Sequence, residues 1–209
     1  MLGRPADEVN LITAHLGNGC SMTAVEAGRA VDHSMGLTPL EGLMMGTRSG
    51  DVDPAVIFYM ARRAGMSLDE LDEALNRRSG LLGVSGVSND MRDCLSAAAS
   101  GDERASLAVE MFGYRVARYV GAYHAILPRT DAVVLTGGIG EHSMGAREAI
   151  CRRLAGLGVT LEAGRNEATV GGECGPITTE GSTPPVWVVP TDEELMIARD
   201  TRRLMETGA

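Results

Sequence analysis

The sequence predicts an α/β fold in which helices pack against a sheet. Two β-hairpins in series are predicted near the amino terminus, where short β-branched runs alternate with glycine turns. A long helical pattern is followed directly by a short, continuously apolar run, which is typical of a strand covered on both faces. Strands that alternate with helices in this way belong to the α/β class.

The composition limits the kinds of partner and compartment. The chain has 209 residues, of which 44% are hydrophobic, enough for one large domain or two small ones. No apolar run is long enough to cross a bilayer and the N-terminus lacks an apolar signal core, so we expect a cytoplasmic protein without a membrane partner. The net charge of -9 and the aromatic content of 3% argue against nucleic acid, which needs basic patches and stacking rings. We predict buried thiols, and no disulfides or zinc site, for the scattered Cys20, Cys94, Cys151 and Cys174.

The first hairpin is predicted to join strands at residues 9–15 and 20–26, with a third strand near residues 29–32. Its turn is Gly17-Asn18-Gly19. So tight a turn can face its backbone amides outward together, and such a cluster binds a phosphate oxygen. Asn-Gly also makes ordinary hairpin turns without a ligand, and the turn alone favours that interpretation.

Residues 33–54 form a long segment without helical or alternating period, although they are too apolar for a solvated linker. A long irregular segment inside a compact domain is usually a functional loop. Its end carries Arg48, Asp51 and Asp53. A guanidinium beside glycines suits a planar oxyanion, and the alternative is a loop staple in which Arg48 pairs with the two carboxylates.

Helices are predicted at residues 53–64 and 67–78. Asp53 can cap the first, Pro54 suits its first position, and Ser67 with Glu70 forms a capping box for the second. Residues 79–87 are glycine-rich and apolar, and we predict a second irregular loop there.

Ser88 is predicted to cap a helix that begins at Asn89, so that Asp90 and Arg92 project from a helix N-terminus. Such an end can hold a ligand. A first-turn carboxylate and a solvated cation are the alternative, which the pattern alone favours.

The longest helical pattern covers residues 102–127 and ends at Pro128, and we assign His124 at its end to packing. A strand at residues 131–136 then leads into a glycine turn and a helix at residues 145–156. This arrangement lets a nucleotide lie against bare backbone at the carboxyl edge of a sheet, although a single glycine turn is a weak signal. We expect His142, after the turn, to be a surface or packing residue.

The last third predicts a strand near residues 159–162, an exposed glycine-rich stretch up to residue 181, and a buried strand at residues 186–189. Thr191 and Glu194 are predicted to form a capping box for the final helix. Glu193 is then a free carboxylate at a strand end, which suits a magnesium ion.

These segments follow one another in a specific order. HLGNG, MGLTPLEGLMMGTRSGDVDP, SGLLGVSG with NDMR, DAVVLTGGIGEH and VVPTDEEL together closely resemble acetate kinase, over nearly the whole chain. The resemblance implies the actin-like ATPase fold of sugar kinases, actin and heat-shock ATPases, with a mixed sheet flanked by helices. It also implies phosphoryl transfer between ATP and acetate, which gives ADP and acetyl phosphate.

The resemblance also implies roles for single residues. The loop that contacts the ATP phosphates matches His15, Leu16, Gly17, Asn18 and Gly19. The segments that hold the adenosine match Asp90, Met91, Arg92, Gly138, Ile139, Gly140, Glu141 and His142, the last of which is usually asparagine in the family. Arg48 matches the arginine that stabilises the transition state, Pro39 lines the pocket for the acetate methyl group, and Glu193 binds Mg²⁺.

Acetate kinases are much longer than this chain. We therefore interpret residues 1–190 as the carboxyl-terminal, nucleotide-binding domain, and residues 191–209 as a terminal helix that packs on an amino-terminal domain. The apolar side of that helix is expected to be exposed here, and we expect a homodimer. The fragment alone is expected to be inactive. The alternatives are a truncated, catalytically inactive nucleotide-binding or dimerisation module, and a propionate kinase.

Overall fold

The computed structural model describes residues 2–207, apart from the side chains of Glu193 and Thr207. These residues contain one six-stranded sheet with the strand order β3-β2-β1-β4-β6-β5. The strands are β1 (Leu11–Leu16), β2 (Cys20–Glu26), β3 (Arg29–His33), β4 (Ala132–Thr136), β5 (Gly175–Pro176) and β6 (Val186–Val188). The sheet is mixed, because β1, β4 and β6 run parallel while β2, β3 and β5 are antiparallel to their neighbours. The predicted α/β class and mixed sheet are confirmed.

The long helix α5 packs on the helices α3, α4 and α7 and on strands β1 and β2. The helix bounds are α1 (Ala55–Arg63), α2 (Leu68–Arg77), α3 (Gly80–Ser85), α4 (Met91–Ala99), α5 (Glu103–Ile126), α6 (Gly137–His142), α7 (Met144–Arg153), α8 (Ala163–Ala168) and α9 (Glu193–Thr207). Asp102 caps α5 by accepting a hydrogen bond from the Ala105 amide at 2.8 Å, as helix N-caps do. Phe112, Val116 and Val120 of α5 are buried in the core.

Two glycine-rich segments that were predicted as a loop and a turn are short helices. The prediction of a loop at residues 79–87 is wrong, because α3 forms there. Its first amides, those of Leu81 and Leu82, donate to the carbonyls of Met45 and Gly46 at 2.9 and 3.0 Å. The glycine turn after β4 is helix α6, whose last carbonyls accept hydrogen bonds from Arg147. The free amides of α3 thus bind a distant loop, and the free carbonyls of α6 bind a side chain of the next helix, partners that no local period reveals.

Two predicted helix caps are also wrong. Helix α4 begins at Met91, after Asp90, whose carboxylate accepts from the Arg92 amide at 2.8 Å, and Ser88 instead accepts from the Asp90 amide. At α9 the carboxylate of Asp192 accepts from the Leu195 amide at 3.0 Å. The Thr191 hydroxyl, which was expected to form that cap, instead donates to the carboxylate of Glu141.

The region after α7 is more structured than the sequence predicts. The expected strand at residues 159–162 is absent from the described part of the chain, where only an isolated bridge joins Leu161 to Thr178. The stretch up to residue 181 is not fully exposed, because it contains α8 and the buried Asn166, Thr169 and Ile177.

Cys174 is exposed, against our expectation, while the other three thiols are buried as predicted. His124 has the predicted structural role, since its Nδ1 lies 2.9 Å from Thr130 Oγ1 at the end of α5. Within residues 2–207, no helix has the length and apolar character needed to cross a membrane.

Candidate functional site

A cavity of about 390 Å³ opens beside the edge of the sheet where β1 and β4 end. These strands are parallel, with His15 paired to Thr136, so the loops that follow them leave from the same edge. The cavity brings together predicted site residues from three distant segments: Gly17, Asn18, Asp90, Met91, Arg92, Gly138, Ile139 and His142. His142 therefore faces the site that the resemblance implied, in addition to any packing role.

Two glycines explain how the backbone of α6 reaches this cavity. Gly137 has φ +77°, and a β-carbon there would lie 2.9 Å from the carbonyl oxygen of Leu16. A side chain would therefore push α6 away from the end of β1. A β-carbon at Gly138 would meet no atom within 4 Å, so its bare backbone borders open space. A ligand can approach the backbone closely at this position.

The hairpin turn after β1 is packed against the loop of residues 33–54. The Gly46 amide donates to the carbonyl of Asn18 at 3.0 Å. The side-chain amide of Asn89 donates to Asn18 Oδ1, also at 3.0 Å. His15 is half-buried, whereas the Leu16 side chain is fully buried in the core, so only the backbone of Leu16 faces the turn.

Arg48 lies beside this turn, and it is not the loop staple that the sequence left open. A β-carbon at Gly19 would be 3.4 Å from Arg48 Nη1. The same nitrogen donates to the carbonyl of Pro39 at 3.4 Å and contacts Met45 Sδ at 3.6 Å. The guanidinium thus makes no ion pair among the described side chains, which leaves its charge available for an anion.

The two carboxylates that could have paired with Arg48 have other partners. Asp51 accepts from the Gly42 amide at 2.8 Å and from the Tyr119 hydroxyl at 2.9 Å, and its carbonyl accepts from Arg115 at 2.7 Å. Asp53 accepts from the Ala55 amide at 2.9 Å at the start of α1, which is the structural role predicted for it. Asp51 therefore fastens the loop to α5.

Asp90 and Arg92 form a pair at the start of α4, and both line the cavity. Arg92 Nη2 lies 2.5 Å from Asp90 Oδ2. The hydrogen bonds from the Arg92 side chain and amide lower the pKa of Asp90 to about 2. Asp90 is thus an ionised acceptor that also caps the helix.

Glu141 and Gly140 do not line the cavity. Glu141 is only 8% exposed, and its Oε1 accepts from the amides of Gly137 and Thr191 at 2.8 and 3.0 Å. Burial raises the pKa of Glu141, but the hydrogen bonds from Thr191 and Gly137 outweigh it, and the net pKa is lowered. The carboxylate therefore binds protein groups and does not line the cavity. The carbonyl of Gly140 accepts from Arg147 at 3.1 Å.

The remaining predicted residues lie around this centre. Pro39 is exposed, with its carbonyl beside Arg48. The Glu193 side chain lies outside the described residues, and its backbone begins α9, two residues after Thr191. Among the side chains that the structure describes, no three His, Cys, Asp or Glu groups are arranged to hold a metal ion.

Two further residues line the cavity: Asn89, which the sequence placed at the helix start without a role in binding, and Ser143, which sequence reasoning missed. Ser143 caps α7 by accepting from the Ala146 amide at 3.4 Å. Asn89 precedes the helix cap, and its bond to Asn18 joins residues 71 positions apart. The nearest signal in the sequence was Gly46, where a β-carbon would lie 2.1 Å from Asn18 Oδ1 and 3.0 Å from the Asn89 carbonyl oxygen.

Comparisons with known proteins agree with this geometry. A model of the acetokinase family matches residues 1–199. The chain belongs to the acetokinase family. Acetate kinases of Chloroherpeton thalassium and Heliobacterium modesticaldum are 50% and 51% identical to it over 204 and 206 residues. These matches cover 97% and 99% of this chain but 49% and 51% of the relatives. The chain spans about half the length of the curated acetate kinases it matches.

Solved structures of an acetate kinase and of a propionate kinase show a similar fold. The acetate kinase of Porphyromonas gingivalis is 46% identical and has a TM-score of 0.92, over 98% of this chain and 51% of that one. A propionate kinase from Francisella tularensis is 47% identical with a TM-score of 0.85, over 91% of this chain and 48% of that one. The chain therefore has the fold of a solved acetate kinase, with the mixed sheet flanked by helices that the resemblance implied.

Proposed function

We propose that the chain is the nucleotide-binding half of an acetate kinase, which transfers a phosphoryl group between ATP and acetate. The observation that carries the proposal is the meeting of three distant segments, those of Asn18, Asp90 and Gly138, around one cavity, with Arg48 beside the turn that contains Asn18. Family membership and the about 50% identity to curated acetate kinases support it.

The residues present suit the chemistry of this reaction. Phosphoryl transfer depends on positioning and on stabilisation of charge, without a nucleophilic side chain. The Gly17 amide donates to the Gly19 carbonyl, so the turn of residues 17–19 offers the backbone amides of Asn18 and Gly19 and the Asn18 side-chain amide. Arg48 lies beside this turn and makes no ion pair among the described side chains. Residues 90–92 and the bare backbone of Gly138 border the other end, which we assign to the nucleoside. Pro39, next to Arg48, is assigned to the wall of the acetate pocket.

Mg²⁺ fits this site as an ion held mainly by the substrate. The described residues lack an acidic cluster, and Mg²⁺ in kinases is typically bound by one or two carboxylates together with phosphates and water. Glu193, at the start of α9, is the carboxylate proposed for it. The ion would supply positive charge to the phosphates.

We further propose that α9 packs on an amino-terminal domain. Leu195, Met196 and Ile197 are 41%, 55% and 67% exposed, so the beginning of α9 presents an apolar face to solvent. Such a face on a helix indicates a missing interface. In the curated relatives, about half of the residues lie outside the match with this chain. We propose that this other half includes the surface on which α9 packs.

The proposal is tested by measuring ATP binding and acetyl phosphate formation separately. The chain alone is expected to bind ATP weakly and to form no acetyl phosphate, trapped as the hydroxamate. Mixed with the amino-terminal half of a curated acetate kinase, it is expected to form acetyl phosphate. Absence of ATP binding would overturn the proposal.

Persistent inactivity in the mixture, with ATP binding intact, would favour the inactive nucleotide-binding module. Acetate and propionate are compared in the same assay, because a solved propionate kinase is 47% identical to this chain and the solved acetate kinase 46%. One methylene is worth only about 1 to 3 kcal/mol, so the preferred acceptor is decided by the ratio of kcat/KM values.

A further inference from the structure

A hydrogen bond between side chains joins Asn89 to Asn18, although the two residues lie in separate segments of the chain. Asn89 Nδ2 donates to Asn18 Oδ1 at 3.0 Å, and both side chains border the same cavity. The bond is not part of a helix cap, since Asp90 caps α4. It therefore connects the turn after β1 directly to the segment before α4.

The pair rests on the bare backbone of Gly46. A β-carbon there would lie 2.1 Å from Asn18 Oδ1 and 3.0 Å from the carbonyl oxygen of Asn89. The Gly46 amide also donates to the Asn18 carbonyl at 3.0 Å. Three separate segments thus fix the position of one side-chain amide.

The direction of the hydrogen bond decides what Asn18 can offer a ligand. Because its Oδ1 accepts from Asn89, its Nδ2 and the two N–H donors it carries are turned away from Asn89. No hydrogen bond occupies Asn18 Nδ2 within residues 2–207. Arg48 Nη1 approaches the adjacent Gly19. A free amide donor and a cation side by side form a site for an oxyanion.

We propose that Asn89 is a positioning residue, which holds the Asn18 amide with its donor toward a phosphate of the bound nucleotide. This inference rests on the proposed function. Asn89 directly precedes the residues assigned to the nucleoside, yet its proposed role concerns the phosphates. Without Asn89 the Asn18 amide can rotate, and its carbonyl oxygen can face the phosphates, which repels them.

The test compares the binding of adenosine, ADP and ATP to Asn89→Ala and Asn89→Asp by calorimetry. For Asn89→Ala, ATP and ADP binding should weaken about threefold to tenfold, the range for one lost hydrogen bond, and adenosine binding should stay unchanged. Asn89→Asp should weaken ATP binding further. Its carboxylate can only accept, so it turns the donor of Asn18 toward itself and adds a negative charge beside the phosphates.

Two other variants keep the test decisive. Gly46→Ala displaces the pair from the opposite side and should reproduce the loss for ATP. Asn76→Ala is the matched control, because the Asn76 side-chain amide bonds Asp72 on the same helix, and it should bind all three ligands as the wild type does.

Equal losses for adenosine and ATP would overturn the proposal, since a merely structural role affects both ligands. Unchanged ATP binding in Asn89→Ala would also overturn it, as would equal effects of Ala and Asp. Failure of the wild-type chain to bind ATP would instead overturn the proposed function, so the two failures are distinguishable. If the Asn89 variants do not fold, Gly46→Ala alone decides through its ratio of ATP to adenosine affinity.

Discussion

The carboxylate of Glu141 accepts hydrogen bonds from both the backbone amide and the hydroxyl of Thr191, at 3.0 and 2.9 Å. The same oxygen accepts from the Gly137 amide at 2.8 Å. One buried side chain therefore joins the start of α6, next to the cavity-lining Gly138, to the segment that leads into α9. The position of that segment, and so of the Glu193 backbone, depends on Glu141.

We expect Glu141→Ala to lower the free energy of unfolding by about 1 to 3 kcal/mol, the cost of leaving a buried polar group unsatisfied. Glu141→Gln keeps an acceptor and should lose less. Urea denaturation gives both values, and hydrogen exchange should show faster opening of residues 191–195 in the Ala variant. Equal stability of the two variants and the wild type would show that Thr191 is held by other contacts.

Arg48→Ala is predicted to slow phosphoryl transfer much more than it weakens ATP binding. The guanidinium makes no ion pair among the described side chains, so its main interaction is expected with charge that develops during transfer. In the mixture with an amino-terminal half, kcat should fall about a hundredfold or more, as for loss of one such group. Arg48→Lys, which keeps the charge without the fork of donors, should recover part of the rate. Parallel losses in kcat and ATP affinity would indicate a structural role.

Tyr119→Phe is predicted to loosen the loop of residues 33–54. The substitution removes only the hydroxyl that donates to Asp51 at 2.9 Å, and it should cost about 0.5 to 1.5 kcal/mol of stability. Tyr114→Phe is the control, because that ring is half exposed on the same helix. Both variants are compared by urea denaturation and by hydrogen exchange of residues 42–51. Equal effects of Tyr114→Phe and Tyr119→Phe would contradict the prediction.

Two glycines with nearly the same backbone angle should respond differently to alanine. Gly80 and Gly65 have φ +63° and +66°, but a β-carbon at Gly80 would lie 2.2 Å from the Met45 carbonyl oxygen, whereas at Gly65 it would meet no atom within 4 Å. Gly65→Ala should cost about 1 to 2 kcal/mol, the strain of the left-handed conformation alone. Gly80→Ala should cost clearly more, because α3 must move from the loop. Thermal unfolding of both variants measures the difference, and similar melting temperatures would refute it.

The stability contributed by Asp131 should depend on pH. Burial raises the pKa of Asp131, but hydrogen bonds from Arg4, from the Asn10 amide and from Arg129 outweigh it and lower the pKa to about 2. Because the folded pKa lies below the unfolded value of about 3.9, the carboxylate stabilises the fold above that value, and the contribution is lost as the pH falls toward 2. Asp131→Asn should therefore be less stable than the wild type at pH 7, and the gap should narrow below pH 4. A gap of constant size across this range would mean that the charge contributes nothing.

Local patterns predicted much of the fold correctly. The hairpin strands, the helix of residues 103–126 and the capping box of Ser67 and Glu70 form as expected, because they depend on turn chemistry, period and neighbours within a few residues. The errors fall where a short segment takes its partners from far away. Helix α3 is completed by carbonyls of Met45 and Gly46, and Thr191 bonds Glu141.

The sequence by itself determined the fold class, the family and the segments that reach the cavity. Only the tertiary structure decided what each polar side chain binds. Arg48 had two nearby carboxylates in the sequence, yet Asp51 bonds to α5 and Asp53 caps α1. Asn89 finds Asn18 across 71 positions. Hydrogen bonds act over about 3 Å in space, so chain separation does not reveal them until packing has brought the segments together.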